Sequence, residues 1–421
     1  MSLDAPKRDR GNRSEGARPV GIARHGRLPS PRAWRAALGL IGSALAVVLV
    51  ATGTVAGIAA FQLARGFDDN SVDINETEVA VPEIGAYEGG FNMLVVGSDA
   101  YYDRDSVLND VNILIHVSGD QTSAVAISFP RDLVVPFPPC TNPDTGRSTS
   151  AATGLPINNA LSYGGLRCVV DVVSEFTGLD IQFAGMIGFE GVAAMADAVG
   201  GVPVCLASPI SDRWSGLDLP AGTHELSGWQ ALQFLRTRHG VGDGSDLTRI
   251  SSQQVYLSSL IRKLKSEETL TDVTKLLSLA YVAKDNMILS SELAQPATMV
   301  AMAKALARIP MDRITFVQYP GATGGTGIYE GRVQPIARIG TQLMDAIRAD
   351  QAIGVEQAGD GKGSALDPDA PVPDDPSTAP DPAASGDPSA PASPPPSLSE
   401  QVVIPGLRGQ TAADQTCSIG N

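Results

Sequence analysis

Apolar positions in this chain fall into three kinds of run. The longest is Ala36 to Ala64, 29 residues of mostly Ala, Val, Leu, Ile and Gly without a charge. An α-helix needs about 20 such residues to cross the hydrocarbon of a bilayer, so one transmembrane helix is predicted at 36–64. The second kind is short and nearly unbroken: FNMLVV at Phe91–Val96, VNILIHV at Val111–Val117 and AVAISF at Ala124–Phe129. Apolarity at consecutive positions marks strands buried on both faces. The third kind is longer and periodic, at Asn158–Phe176, Phe189–Val199, Leu226–Leu235 and Leu247–Leu264. These are predicted helices. Gly200-Gly201 stops the second, Ser227 or Thr223 lies near the start of the third, and the fourth carries Leu247, Ile250, Gln254, Leu257 and Ile261 on one side. Strands interleaved with helices predict an α/β fold, a three-layer α/β/α sandwich with a mixed central sheet.

Charge is spread unevenly. Residues 1–35 hold nine basic side chains (Lys7, Arg8, Arg10, Arg13, Arg18, Arg24, Arg27, Arg32 and Arg35) against Asp4, Asp9 and Glu15. Such a flank belongs on the cytoplasmic side, which makes the chain a single-pass protein of the cell membrane with everything after Arg65 outside. A cleaved signal peptide is the rival, but its apolar core is usually only about 7 to 15 residues. Between Glu356 and Glu400 lie eleven prolines, nine acidic residues and one lysine, which predicts a disordered acidic tether over 356–400. Apolar character returns in the C-terminal segment 401–421, and 65–355 remains as one extracellular domain. A net charge of −15 argues against nucleic-acid binding and leaves cell-surface roles open.

Cys140, Cys168, Cys205 and Cys417 suit an oxidising compartment, where four thiols permit three pairings that sequence alone does not separate. We favour Cys140 with Cys168 and Cys205 with Cys417, the second tying down a distant C-terminus. No Cys-x-x-Cys is present and the four histidines are scattered, which argues against structural zinc. A Gly-x-Ser-x-Gly elbow, a His-Glu-x-x-His helix and a Walker lysine loop are all missing.

The chemistry that remains lies at strand ends and in one basic cluster. Asp99 follows the first strand and Asp110 precedes the second, so a loop could bring the two carboxylates together as hard donors for Mg²⁺ beside phosphates. As an isolated pair, the competing reading is a turn cap at Asp99 and a solvated strand-edge charge at Asp110. In FLRTRHGVGDGSDLTRISSQQ, Arg236 and Arg238 share one face of an extended segment, and Arg249 and Gln253 share one face of a helix. Asp246 sits near that helix's N-terminus, where a carboxylate is favoured. Guanidinium groups bind phosphate in a bidentate fork, so an anion site is the sharper reading and surface ion pairs with Asp243 and Asp246 the blander one.

Taken in order, NMLVVGSD, NDVNILIHV, SFPRD, INNALSYGG, GFEGVAAMADAVGGVPV, RTRH and DLTRISSQQ resemble the LytR-CpsA-Psr family of bacterial envelope proteins, particularly its actinobacterial members. The resemblance implies a phosphotransferase moving a glycopolymer from a polyprenyl-pyrophosphate carrier to a peptidoglycan sugar hydroxyl, with the lipid tail in an apolar pocket. A polyprenyl-pyrophosphate hydrolase and a non-catalytic lipid-binding scaffold are the alternatives. It further implies that Asp99 and Asp110 serve the metal, that Arg131, Arg236, Arg238, Arg249 and Gln253 contact the pyrophosphate, and that Asp132 or Asp246 accepts the acceptor's proton. Two cationic positions of the family pattern are occupied here by Leu108 and Pro156, leaving Arg104 or Arg147 as possible substitutes.

Overall fold

In the computed structural model, the described residues are 71–74, 89–99, 107–143, 145–265, 285–370 and 400–421, with isolated positions at 38–54 and 279–283. The chain divides into two units, Met1–Ala59 and Ala60–Asn421. Apart from scattered helical positions such as Leu38 and Val50, the transmembrane segment expected at 36–64 lies outside the described residues. Among the described residues no helix is long and apolar enough to cross a membrane.

The second unit is built on an eight-stranded mixed sheet. Its strands are β1 (Ser71–Val72), β2 (Phe91–Ser98), β3 (Asn109–Val117), β4 (Ala124–Phe129), β5 (Phe183–Ile187), β8 (Met287–Ser290), β9 (Ile314–Gln318) and β11 (Gly409–Thr411). They lie in the order β1-β8-β5-β2-β3-β4-β9-β11. β2 pairs parallel with β5 and antiparallel with β3, and β4 pairs parallel with β9. Consecutive residues of a strand face opposite sides, and both sides are apolar, as the unbroken runs require. Leu94, Val96, Leu114, Ile127 and Phe129 meet α1 (Ala160–Thr177) and α6 (Ala337–Arg348) on one face. Phe91, Ile113, Val117, Ala126 and Phe183 meet α5 (Pro296–Arg308), Leu257 and Ile261 on the other.

A second, four-stranded sheet holds β6 (Val202–Leu206), β7 (Gly222–Leu226), β10 (Ser364–Leu366) and β12 (Thr416–Ser418) in the order β7-β6-β12-β10. Cys205 and Cys417 are register partners in it and are disulfide-bonded, and Cys140 is bonded to Cys168, which is the favoured pairing. The remaining helices are α2 (Phe189–Ala198), α3 (Gly228–Arg236) and α4 (Asp246–Lys265).

Three expectations change. The stretch 356–400 is not tether throughout: β10 pairs with β12, and Ala358 and Gly359 bridge to Gly409, while 371–399 lies outside the described residues. The prolines all fall between Pro368 and Pro396, so the mean composition of the stretch concealed a proline-free beginning that can pair. α1 is broken at Gly164 and Gly165, whose backbone is not helical. Finally, the polar side of α4 is buried. Ser251 meets Ser364, Ser252 meets Ser418, and Gln410 donates to the Gln254 carbonyl and the Ser258 hydroxyl. Small hydroxyls let the helix approach these strands closely while giving the buried serines hydrogen-bond partners.

Candidate functional site

The site forms where β2 and β3 part. Gly97 faces Val111 and Ser98 faces Asn109, so Asp110 is the extra residue of a bulge, a device that re-aims a side chain. A Cβ at Gly97 would come within 2.8 Å of the Val111 Cβ, which is why glycine stands there. The fully buried Asn109 fixes the bulge: its amide donates to Asn112 Oδ1 and the Ile157 carbonyl, and its oxygen accepts from Leu161 N–H. Asp99, also buried, accepts from Leu108 N–H at 2.7 Å. Its carboxylate therefore does cap the following loop, and Asp110 is not a solvated charge: Arg131 Nη1 donates to it at 3.0 Å.

Three elements meet at this bulge. From the end of β4, Arg131 reaches Asp110, while its backbone N–H donates to Asp246 Oδ2 at 3.2 Å. From α4, Arg249 Nη2 lies 2.7 Å from Asp246 Oδ1 and donates to the Asp110 carbonyl at 3.0 Å. From the segment after α3, Arg236 and Arg238 flank the buried Thr237, and the Arg236 guanidinium stacks 4.2 Å from the Phe189 ring centroid. Gln253 donates to the Leu235 carbonyl at 2.8 Å, so it braces the end of α3 as well as facing the cavity.

These side chains open onto a cavity of about 360 Å³. Asp110, Arg131, Arg236, Arg238, Arg249 and Gln253 line it, and its remaining wall is largely hydrocarbon, including Val95, Ile113, Val192, Leu232 and Leu257. Among the described residues, the Nε atoms of Arg131, Arg238 and Arg249 are buried without a hydrogen-bond acceptor. Donors left in this state mark a place built for an anion. Asp132 and Asp246 do not line the cavity but adjoin it, each 3.7 Å from Arg131 Nε. Burial raises the proton affinity of Asp132. Arg131 opposes this, Asp246 adds to it, and the net shift is upward. Arg147 stands in the exposed hairpin 140–149 and does not line the cavity, and Arg104 lies outside the described residues.

Asp212 escaped sequence reasoning, although its turn composition in SDRWSG was a signal. It is buried, and its carboxylate accepts from Trp214, Arg238 and His239 N–H groups at 2.9–3.1 Å. Burial alone would raise its pKa. The backbone donors outweigh burial and hold it below the usual carboxylate value. Its stabilising effect is therefore present above the unfolded-state pKa and lost as pH falls through the lower folded value. Asp212→Asn is expected to cost about 2 kcal/mol at neutral pH. Denaturant melts of the two proteins should converge as the solution is acidified below pH ~4.

The C-terminal segment reaches the same place. Gly242 N–H donates to the Ile419 carbonyl, Val241 bridges to Gly420, Asn421 N–H donates to the Gly240 carbonyl, and the Asn421 amide donates to the His239 carbonyl. The loop that follows Arg238 is thus held by residues up to 182 positions away in sequence.

A mixed α/β domain whose cavity is lined by guanidinium groups and hydrocarbon suits a ligand with an anionic head and an apolar body. The model of the LytR_cpsA_psr family matches residues 60–344, and the chain belongs to that family. Among its relatives is the cell wall biosynthesis protein LcpA of Corynebacterium glutamicum, 29% identical over 313 residues that make up 66% of this chain and 58% of LcpA. Another is the polyisoprenyl-teichoic acid–peptidoglycan teichoic acid transferase TagT of Bacillus subtilis, 27% identical over 54% of this chain and 70% of TagT. The chain spans little more than half of LcpA and of its paralogue LcpB. The fold is shared with the crystal structure of B. subtilis TagV, at a TM-score of 0.52 and 20% identity, covering 63% of this chain and 98% of TagV. The family match stops at 344, before the C-terminal segment that supports the arginine loop.

Proposed function

We propose that this protein is a membrane-anchored phosphotransferase that moves a glycopolymer from a polyprenyl-pyrophosphate carrier to a peptidoglycan sugar hydroxyl outside the cell. One observation carries the reading: Arg131, Arg236, Arg238 and Arg249 converge on one largely apolar cavity. The names of LcpA and TagT agree with it, and two disulfides agree with an exported domain.

In this reading the polyprenyl chain lies along the hydrocarbon wall and the diphosphate sits among the guanidinium groups. The acceptor hydroxyl oxygen attacks the phosphorus bonded to the glycan. A new P–O bond forms, the bond to the bridging oxygen breaks, and polyprenyl phosphate departs carrying the charge that Arg238 and Arg249 neutralise. Of the two acids, Asp132 is the better proton acceptor. Asp246 has one oxygen against Arg249 and the other on Arg131 N–H, whereas Asp132 is partly open and has raised proton affinity. Asp99 and Asp110 are hard oxygen donors at adjoining strand ends and would hold Mg²⁺, which supplies further neutralisation of diphosphate charge.

The test is transfer of label from a glycan-labelled polyprenyl pyrophosphate to peptidoglycan by the full chain in lipid nanodiscs. Label should enter peptidoglycan only with acceptor present and disappear on chelation. Equal phosphate release without acceptor would make it a hydrolase instead. With Asp132 as base, the acid limb of the rate profile should lie above the ordinary aspartate pKa of ~3.9, because only the ionised form works. Asp132→Asn should lower turnover about 100-fold while leaving donor binding nearly unchanged. A donor-binding defect equal to the turnover defect would remove Asp132 from the chemistry.

A further inference from the structure

One feature of the cavity rim is not used by the diphosphate site. Trp214 lines the cavity yet is 68% exposed. It sits in a turn that is pinned on every side. Its N–H donates to Asp212 Oδ1 at 2.9 Å, Gly216 N–H donates to the Asp212 carbonyl at 2.8 Å, and the Ser215 hydroxyl lies 2.7 Å from that of Thr237. A large indole in water on a turn held by these bonds is a preorganised surface. The Arg213 guanidinium lies 5.0 Å from its ring centroid, and the His239 ring lies 5.9 Å away at 42°. Asp212 binds the backbone of Trp214 and of Arg238 through one carboxylate, so indole and diphosphate site are fixed relative to each other.

We propose that Trp214, with Arg213 and His239 beside it, is a glycan subsite that stacks the sugar directly attached to the carrier's diphosphate. This rests on the reading of the cavity as a lipid-diphosphate site. A pyranose ring has an apolar face of C–H groups and a rim of hydroxyls, which an indole with a guanidinium over one face and a tilted imidazole nearby complements through its other face. The sugar bonded to the diphosphate must extend from the guanidinium groups toward solvent, and Trp214 lines the same cavity while standing 68% exposed. A bilayer is the rival occupant. Trp229 on α3 is also 53% exposed, but it does not line the cavity, and the turn around Trp214 exposes Ser211, Arg213 and Asp218 rather than further apolar side chains.

The experiment compares the full chain in nanodiscs with Trp214→Ala, Trp214→Phe and Trp229→Ala, titrated with polyprenyl pyrophosphate either bare or bearing one hexosamine. Wild type should prefer the sugar-bearing form. Trp214→Ala should lose about tenfold in affinity for it with no change for the bare form, and Trp214→Phe should restore most of the loss. Trp229→Ala should match wild type. An equal loss for both ligands, or no loss, overturns the subsite. So does reduced association of both tryptophan variants with vesicles that lack glycolipid, if the sugar preference survives. If wild type fails to bind even the bare diphosphate, the cavity reading itself falls, an outcome distinct from failure of the subsite.

Discussion

Replacing Arg249 with alanine should slow transfer by orders of magnitude and weaken the fold, whereas replacing Arg238 should slow transfer alone. Arg249 is 6% exposed, with Nη2 against Asp246 and the Asp110 carbonyl. Removing it breaks the close buried ion pair and leaves Asp246 only the more distant Arg131, 3.7 Å away, a change of the kind that typically costs about 3–5 kcal/mol. It also releases the strand bulge that aims Asp110. The Arg238 side chain has a different position: its backbone is held by Asp212, and its buried Nε has no acceptor among the described residues. Its loss removes a cation without breaking a pair. Both variants should reduce turnover by about 100-fold to 1,000-fold, the range for one preorganised charge-stabilising donor. Thermal melts separate them: Arg249→Ala should drop by many degrees and Arg238→Ala by few. If lipid-pyrophosphate affinity were unaltered in both, the anion clamp would be wrong.

The contrast between these two arginines shows what the sequence could and could not convey. RTRH and DLTR placed three guanidinium groups near one another, and their spacing on an extended segment and a helix predicted a shared direction. The central strands were equally legible, because burial on both faces leaves an unbroken apolar run. Which arginine would be structurally paired was not legible. The Asp246–Arg249 pair is local, three residues apart on one helix, but Arg131 and the Asp110 carbonyl reach it from distant stretches, the latter through a bulge produced by a register shift that no local pattern records. Asp212 was hidden for the same reason, since its function is to bind backbone 26 and 27 residues away. The buried polar side of α4 misled a reading by amphipathicity. Ser251, Ser252 and Ser258 look solvated until strands from the end of the chain are laid against them.

Those terminal strands carry the other large effect: a chain stopped after residue 400 should bind lipid pyrophosphate at least 100-fold more weakly than the intact protein. The segment supplies β11 at the edge of the large sheet and β12 within the small one. It also provides Gln410, whose buried amide satisfies α4 at two points. The Cys205–Cys417 link closes 212 residues, worth about 5 kcal/mol where chain entropy dominates. A truncation confounds stability with positioning, so a narrower change is needed. Gly420 packs against the Pro209 carbonyl, and any side chain there would collide with it. Gly420→Ala keeps the disulfide and both strands but must displace Ile419 and Asn421 from the loop at Gly240–Gly242. The expected result is a small change in melting temperature with a loss of diphosphate affinity of about tenfold, because the loop after Arg238 is no longer braced. Cys205→Ser with Cys417→Ser should do the reverse, lowering the melting temperature strongly while leaving affinity near normal at temperatures where the protein remains folded. Unchanged affinity in Gly420→Ala would mean that Asp212 alone holds the arginine loop and that the C-terminal segment only stabilises the domain.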